Sequence, residues 1–141
     1  MSVVIKSNNI TYQAAFAACD NAVKKAVELN IKINVSICDK SGLELAFLRM
    51  NDSYIHSIDI SKDKAYTSAS FGFPSGAWTG IFKEETHLEQ GFSNRERLVP
   101  FGGGLPLFHN KELVGAIGVS GGSEEEDIIC AQAGIDAIDI K

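Results

Sequence analysis

The sequence predicts an α/β sandwich: a mainly antiparallel sheet with helices packed on it. Two hairpin patterns point to the sheet, one over residues 33–50 and one over 105–119. Stretches of helical periodicity stand before, between and after them. Within each hairpin the connection is far shorter than the roughly dozen residues a parallel crossover needs. The order is helix, hairpin, helices, hairpin, helix. That order describes a sandwich of the profilin-like kind.

The elements follow in turn. Asn8 or Asn9 can cap a first helix that runs to about Leu29. Its apolar positions Ala15, Ala18, Cys19, Ala22, Ala26 and Leu29 recur at helical spacing. These side chains are mostly small, so the helix can sit close to a sheet. Residues 33–38 (INVSIC) alternate as a strand, Asp39-Lys40-Ser41-Gly42 is a turn, and residues 43–50 return. Helical pattern resumes from about Ile55 to Phe71 and is interrupted by Gly72 and Pro74. A second helical piece covers about Ser75 to Glu85. Residues 86–98 are polar and read as a surface loop, followed by a short strand around Val99–Phe101. The second hairpin, 105–108 with 113–119, turns through His109-Asn110-Lys111-Glu112. Ser123 opens the last helix, and Glu126 three residues later completes a capping box. Glu124, Glu125 and Asp127 suit the positive end of that helix dipole. Ile128, Ala131, Ile135 and Ile138 form its expected buried stripe.

With 141 residues the chain predicts one domain, 1–141, with a real core. A net charge of −5 gives no basic field for nucleic acid or an anionic membrane. No run of about 18 apolar residues exists, so no membrane span is expected. The start, MSVVIKSNNI, lacks the apolar core of a signal peptide. Cys19, Cys38 and Cys130 are odd in number and lack CxxC spacing. They read as reduced thiols in a cytoplasmic protein.

The densest signal runs from Phe101 to Asp127, which holds seven of the chain's thirteen glycines. Glycine at that density within apolar strands means close backbone approach or positive φ. Room there is expected to serve a ligand or a second subunit. Gly121-Gly122 before a helix start looks like an anion cradle, but Glu124, Glu125 and Glu126 follow and would repel a phosphate. No nucleotide phosphate motif occurs.

On the helix from Ile55, His56, Asp59, Asp63 and Tyr66 fall along one stripe. Such a stripe can hold a metal or serve as acid and base. The ordinary alternative is a solvated face laced by Lys62 and Lys64. Lys62 and Lys64 can also anchor a carboxylate as point charges. His87 and His109 read as exposed loop residues, and no histidine pair has zinc-site spacing. Core thiol is the plain reading of Cys19 and Cys130, whereas Cys38 beside Asp39 is a somewhat better candidate for reactivity. Phe71, Phe73, Trp78 and Phe82 gather around Pro74 and line either a core or a flat pocket or interface. Arg95 and Arg97 in the following loop read first as solvated charges, and can otherwise meet an anionic ligand or an acidic neighbour.

Three segments, SIDISKDKAYTSA (57–69), FGGGLPL (101–107) and VGAIGVSGGSEEED (114–127), resemble the GlcG/HbpS-like family. That family includes haem-binding proteins and the C-terminal domain of PduO-type corrinoid adenosyltransferases. The resemblance spans about Ile10 to Ile138. It implies a profilin-like fold, a homo-oligomer that is often an octamer, and a role in binding haem or a related tetrapyrrole. Some members stand in operons for glycolate, diol or glycerol use. Some are thought to ligate haem through a histidine of the first helix, and the helix here has none. His56 becomes the candidate metal ligand, with Tyr66 and Met50 behind it. The resemblance carries over Asp59, Lys64, Gly102, Gly103, Gly104, Gly121 and Gly122 by position, mostly in structural roles.

Three functions follow as expectations. One is a small-ligand-binding oligomer holding haem at a subunit boundary. Another is an enzyme or accessory protein acting on a small carboxylate or aldehyde. It would use His56, Asp59 and Lys64, with backbone N–H groups of the glycine turn stabilising an oxyanion. The last is a ligand-free assembly module.

Overall fold

A computed structural model describes residues 1–141. In chain order the elements are α1 (Tyr12–Glu28), β1 (Asn34–Asp39), β2 (Glu44–Arg49), α2 (His56–Phe71) and α3 (Ala77–Glu84). Then come α4 (Thr86–Phe92), β3 (Gly104–His109), β4 (Glu112–Ser120) and α5 (Glu124–Asp136). The four strands form one sheet in the order β2-β1-β4-β3, and every neighbouring pair is antiparallel. Each hairpin therefore places one strand at an edge and one in the centre. The sequence expectation of a mainly antiparallel α/β sandwich holds.

Alternation along the strands gives the sheet two unlike faces. Ile33, Val35, Ile37, Leu107, Ile117 and Val119 point to one face and are fully buried there with Ala15, Ala18, Ala22, Ala26 and Ala131. Helices α1 and α5 pack on each other and on this face. The alanine face of α1 brings that helix close, and Gly134 of α5 does the same from the other side. A Cβ on Gly134 would stand 2.8 Å from the Ala18 carbonyl. Helix α2 covers the other face, over β1, β4 and β3.

The N-cap of α1 is Thr11, whose hydroxyl accepts from the Ala14 N–H, rather than Asn8 or Asn9. Both asparagines are engaged elsewhere: Asn8 donates to Glu112 and Asn9 accepts from the Lys40 N–H. Residues 86–92 are helical, not loop. The cause is tertiary, because Phe92 of α4 packs against Trp78, Phe82 and Phe71. Val99–Phe101 is no strand, since side chains satisfy its backbone. Val99 N–H donates to Thr67 Oγ1, and the Phe101 carbonyl accepts from Ser75 Oγ. In α5 the capping box is present. Its fully buried side is Asp127, Cys130, Ala131 and Gly134, with Ile135 half-buried and Ile128 left 38 % exposed. Ile138, half-buried, lies beyond the helix end. The rotation sets Gly134 against α1 and Asp127 against α2.

Candidate functional site

The α2 side of the sheet is built from small and polar residues. Gly104 and Gly118 are cross-strand partners, so β3 and β4 present a gap two residues wide with no side chain. The backbone of α2 lies in that gap. A Cβ on Gly118 would collide with the Ser61 carbonyl and the Ala65 N–H, and one on Gly104 with the Lys64 carbonyl. Ser57, Ser61, Thr67 and Ser68 of α2 are buried, as are Asn34, Ser36, Ala116 and Ser120 of the sheet.

From the centre of this contact Lys64 runs under the glycine turn. It is 1 % exposed. Its Nζ donates to the Val119 carbonyl at 2.8 Å and to Asp127 Oδ2 at 3.0 Å. Asp127 Oδ1 accepts from the Gly122 N–H at 2.8 Å. Phe101 lies over the ammonium, with its ring centre 5.2 Å away. Gly103 takes φ +124°, and a Cβ there would stand 2.6 Å from Nζ. The space opened by Gly103 and Gly104 is thus occupied by Lys64, Ser68 and Ser75 of the same chain. Burial pulls the Lys64 ammonium below its usual range, and the charge of Asp127 opposes that pull. Burial likewise raises the Asp127 carboxyl against the pull of Lys64. Each charge is tolerated because the other is there.

Two of the turn's three glycine N–H groups are engaged. Gly102 donates to Glu124 Oε1 at 2.6 Å and Gly104 to Ser75 Oγ at 2.9 Å. An incoming oxyanion would have to displace these acceptors.

His56 and Asp59 stand on the outer flank of α2, exposed and without a protein hydrogen bond. The structure does not bring them to Lys64, which points the other way into the sheet contact. The lower half of the stripe does assemble. Arg97 Nε donates to Asp63 Oδ1 at 2.9 Å, and the guanidinium carbon lies 3.9 Å from the Tyr66 ring centre. Lys62 pairs with Glu44 at 3.5 Å. No group of three or more His, Cys, Asp or Glu side chains is placed to hold a metal ion by itself. His87 is exposed on α4, and His109 Nδ1 accepts from the Lys141 N–H.

All three cysteines are buried and unpaired. Burial raises Cys19 to about 12 and Cys38 and Cys130 to about 11, so all three are thiols at neutral pH. The reactivity expected of Cys38 has no thiolate to draw on. Sequence reasoning missed the partnership of Lys64 with Asp127. Asp127 stood out only as an acid at a helix start, a role that Glu124–Glu126 already fill.

The family model described as "Haem degrading protein HbpS-like" matches residues 10–136. The chain belongs to the HbpS-like family. Among solved structures, protein ORFY of Klebsiella pneumoniae is 33 % identical, with a TM-score of 0.91, over 97 % of this chain and 95 % of that one. The PduOC:heme complex is 29 % identical, with a TM-score of 0.86, over 94 % of this chain and 97 % of that one. Corrinoid adenosyltransferase PduO of Salmonella typhimurium is 35 % identical over 129 residues, which is 84 % of this chain. The match covers only 36 % of that enzyme's length. No helix here is long and apolar enough to cross a membrane.

Haem requires an axial donor and apolar surface. Met50 is poorly placed as donor, because its sulfur accepts from the Ile33 N–H at 3.3 Å. Tyr66 is held beneath Arg97. His56 has both ring nitrogens uncommitted, and Tyr54 and Ile55 beside it are 70 % and 79 % exposed. Next to Tyr54 a cleft of about 270 Å³ carries Lys32, whose ammonium pairs at 3.4 Å with Asp52 of the same lining. His56 with Tyr54 and Ile55 offers a donor and apolar surface of the kinds haem requires.

Proposed function

We propose that this HbpS-like protein binds haem, or a related tetrapyrrole, at a boundary between copies of the chain, with His56 as the axial ligand. The observation that carries the reading is the likeness to PduOC, whose solved structure is a heme complex, across 94 % of this chain. The free imidazole of His56 and its exposed apolar neighbours support it. A planar ligand standing on such a shelf needs a second wall to leave water, and a second copy supplies one. The homo-oligomer is part of the same proposal. In this assignment the Lys64–Asp127 pair and the glycine turn set the position of α2 and touch no ligand.

A hemin titration followed by absorbance and size-exclusion chromatography tests the reading. Wild type is expected to give a saturable Soret shift that co-elutes with an oligomer. His56→Ala is expected to weaken binding at least tenfold without changing the elution of the free protein. A saturable shift that survives in His56→Ala would move the axial ligand elsewhere. No saturable shift in wild type would end the haem reading.

A further inference from the structure

We propose that the outer edge of β2 and the neighbouring flank of α1 form one docking surface, occupied by the same surface of a second copy across a two-fold axis at Leu48. This specifies one contact between copies. It shares the second copy with the haem reading but needs neither haem nor His56.

The two edges of the sheet differ. At β3 the outward backbone is closed. The Gly104 carbonyl accepts from the Ser75 N–H, the Gly104 N–H donates to Ser75 Oγ, and Pro106, the next residue facing that way, has no N–H. At the other end of the sheet β2 has no neighbour beyond it. The Met50 N–H donates inward to the Ile33 carbonyl. Alternation then turns the N–H and C=O groups of Phe47 and Arg49 outward, where no strand meets them. The charges at the ends of β2 are drawn off this edge. Glu44 accepts from Ser36 and pairs with Lys62, and Arg49 donates to the Ser53 carbonyl.

Beside this edge α1 carries an apolar flank. Tyr12, Phe16, Val23 and Val27 lie within about 60° of arc on the helix. Tyr12, Phe16 and Val27 are 67, 67 and 64 % exposed. The other flank of α1 faces α5, since a Cβ on Gly134 would meet the Ala18 carbonyl. Helix α1 packs on both β1 and β2, so the apolar flank overhangs the β2 edge. Beneath it Ala46 and Leu48 are only half-buried.

The surface is complementary to itself, which is why the occupant is a second copy. Two β2 strands paired antiparallel about Leu48 let Phe47 exchange both backbone hydrogen bonds with Arg49 of the other copy. On α1, the antiparallel match sets Tyr12 against Val27 and Phe16 against Val23 of the other copy, with its centre beside Cys19. The two centres coincide. Cys19 Sγ reaches the Val35 carbonyl at 4.0 Å, and Val35 is the cross-strand partner of Leu48. Spacing agrees as well. One helix covers two strands of about 4.8 Å each, so joining the β2 edges puts the two α1 helices at the 8–10 Å of packed helices. Asp20, near the axis, is already paired with Lys24 of its own copy at 2.6 Å.

Light scattering of the full chain without haem, with two variants, tests the interface. Wild type is expected at the mass of two chains or an even multiple. Phe16→Glu changes an exposed residue of the single chain and buries a charge in the pair. It is expected to fall to half the wild-type mass or less, with its circular dichroism unchanged. Under mild oxidation Leu48→Cys is expected to form a two-chain disulfide, because facing non-hydrogen-bonded residues stand about 4.5 Å apart at Cα. Phe108→Cys, on the closed edge, is expected to form none. This readout stands even if Phe16→Glu fails to fold. A single-chain wild type, an undiminished mass in folded Phe16→Glu, or cross-linking of Phe108→Cys but not Leu48→Cys would each overturn the proposal. The haem reading fails separately. A haem-free pair that takes up no hemin sustains this interface and ends that reading, whereas saturable hemin binding by a wild type of one chain does the reverse.

Discussion

The two faces of the sheet are sealed by opposite means. Beneath α1 and α5 the contact is apolar volume: Ile33, Val35, Ile37, Leu107, Ile117 and Val119 against a row of alanines. Beneath α2 nearly every large apolar side chain is missing, and the larger groups buried there are Asn34, Lys64 and Thr67. Close backbone approach replaces volume, through the facing pair Gly104 and Gly118, and a buried ion pair fixes the register of the helix. An apolar face tolerates repacking, because dispersion and burial do not depend on direction. A face made of backbone contacts and directed polar bonds does not. The site residues lie on this second face or along its flank, where small displacements of α2 move His56 at one end and Tyr66 at the other.

The sharpest way to break the contrast is Gly118→Val. The new side chain meets the Ser61 carbonyl and the Ala65 N–H, neither of which can yield without lifting α2. Urea unfolding is expected to show a loss above about 4 kcal/mol or no folded protein. A loss under about 1 kcal/mol would mean that α2 does not lie as close as described.

Next comes Lys64→Met, which strands Asp127 in a buried position and should cost about 3–5 kcal/mol. Pairing it with Asp127→Leu removes the stranded charge, so the double variant should be more stable than Lys64→Met alone. Equilibrium unfolding of the wild type, both single variants and the double variant gives the coupling. Strict additivity would show that the pair does not act as a unit.

The smallest effect belongs to the apolar face. Ile37→Val deletes one methylene among neighbours that can relax, at about 1 kcal/mol by the same denaturant midpoint. If that loss matched the Lys64→Met loss, the distinction between the faces would fail.

The apolar face was legible in the sequence. Ala15, Ala18, Cys19, Ala22 and Ala26 recur at helical spacing, and each is buried where that spacing puts it. The hairpins were legible too, because Asn110 and Lys111 sit between alternating runs and both take positive φ, as a tight two-residue turn requires. The α2 face was not. Ser57, Ser61, Thr67 and Ser68 have the composition of a wet surface, so the helix reads as charged and solvated although that side is buried. The missing signal was geometric. Folding the second hairpin about its turn sets Gly104 opposite Gly118, and two facing glycines mark where another backbone must come close. Helix α4 escaped for a related reason: seven residues have little helical preference of their own, and the aromatic cluster around Trp78 supplies the rest.

One contact near the β3–β4 turn reaches beyond stability. Asn8 holds Glu112, while the Asn110 N–H donates to the Lys141 carbonyl. The incoming and outgoing segments therefore meet at the same hairpin. A fold whose two ends leave side by side can be spliced into a longer polypeptide, or cut and rejoined in circular order, without deforming its sheet. Such a unit is portable, and the match to about a third of PduO is what portability looks like in a genome.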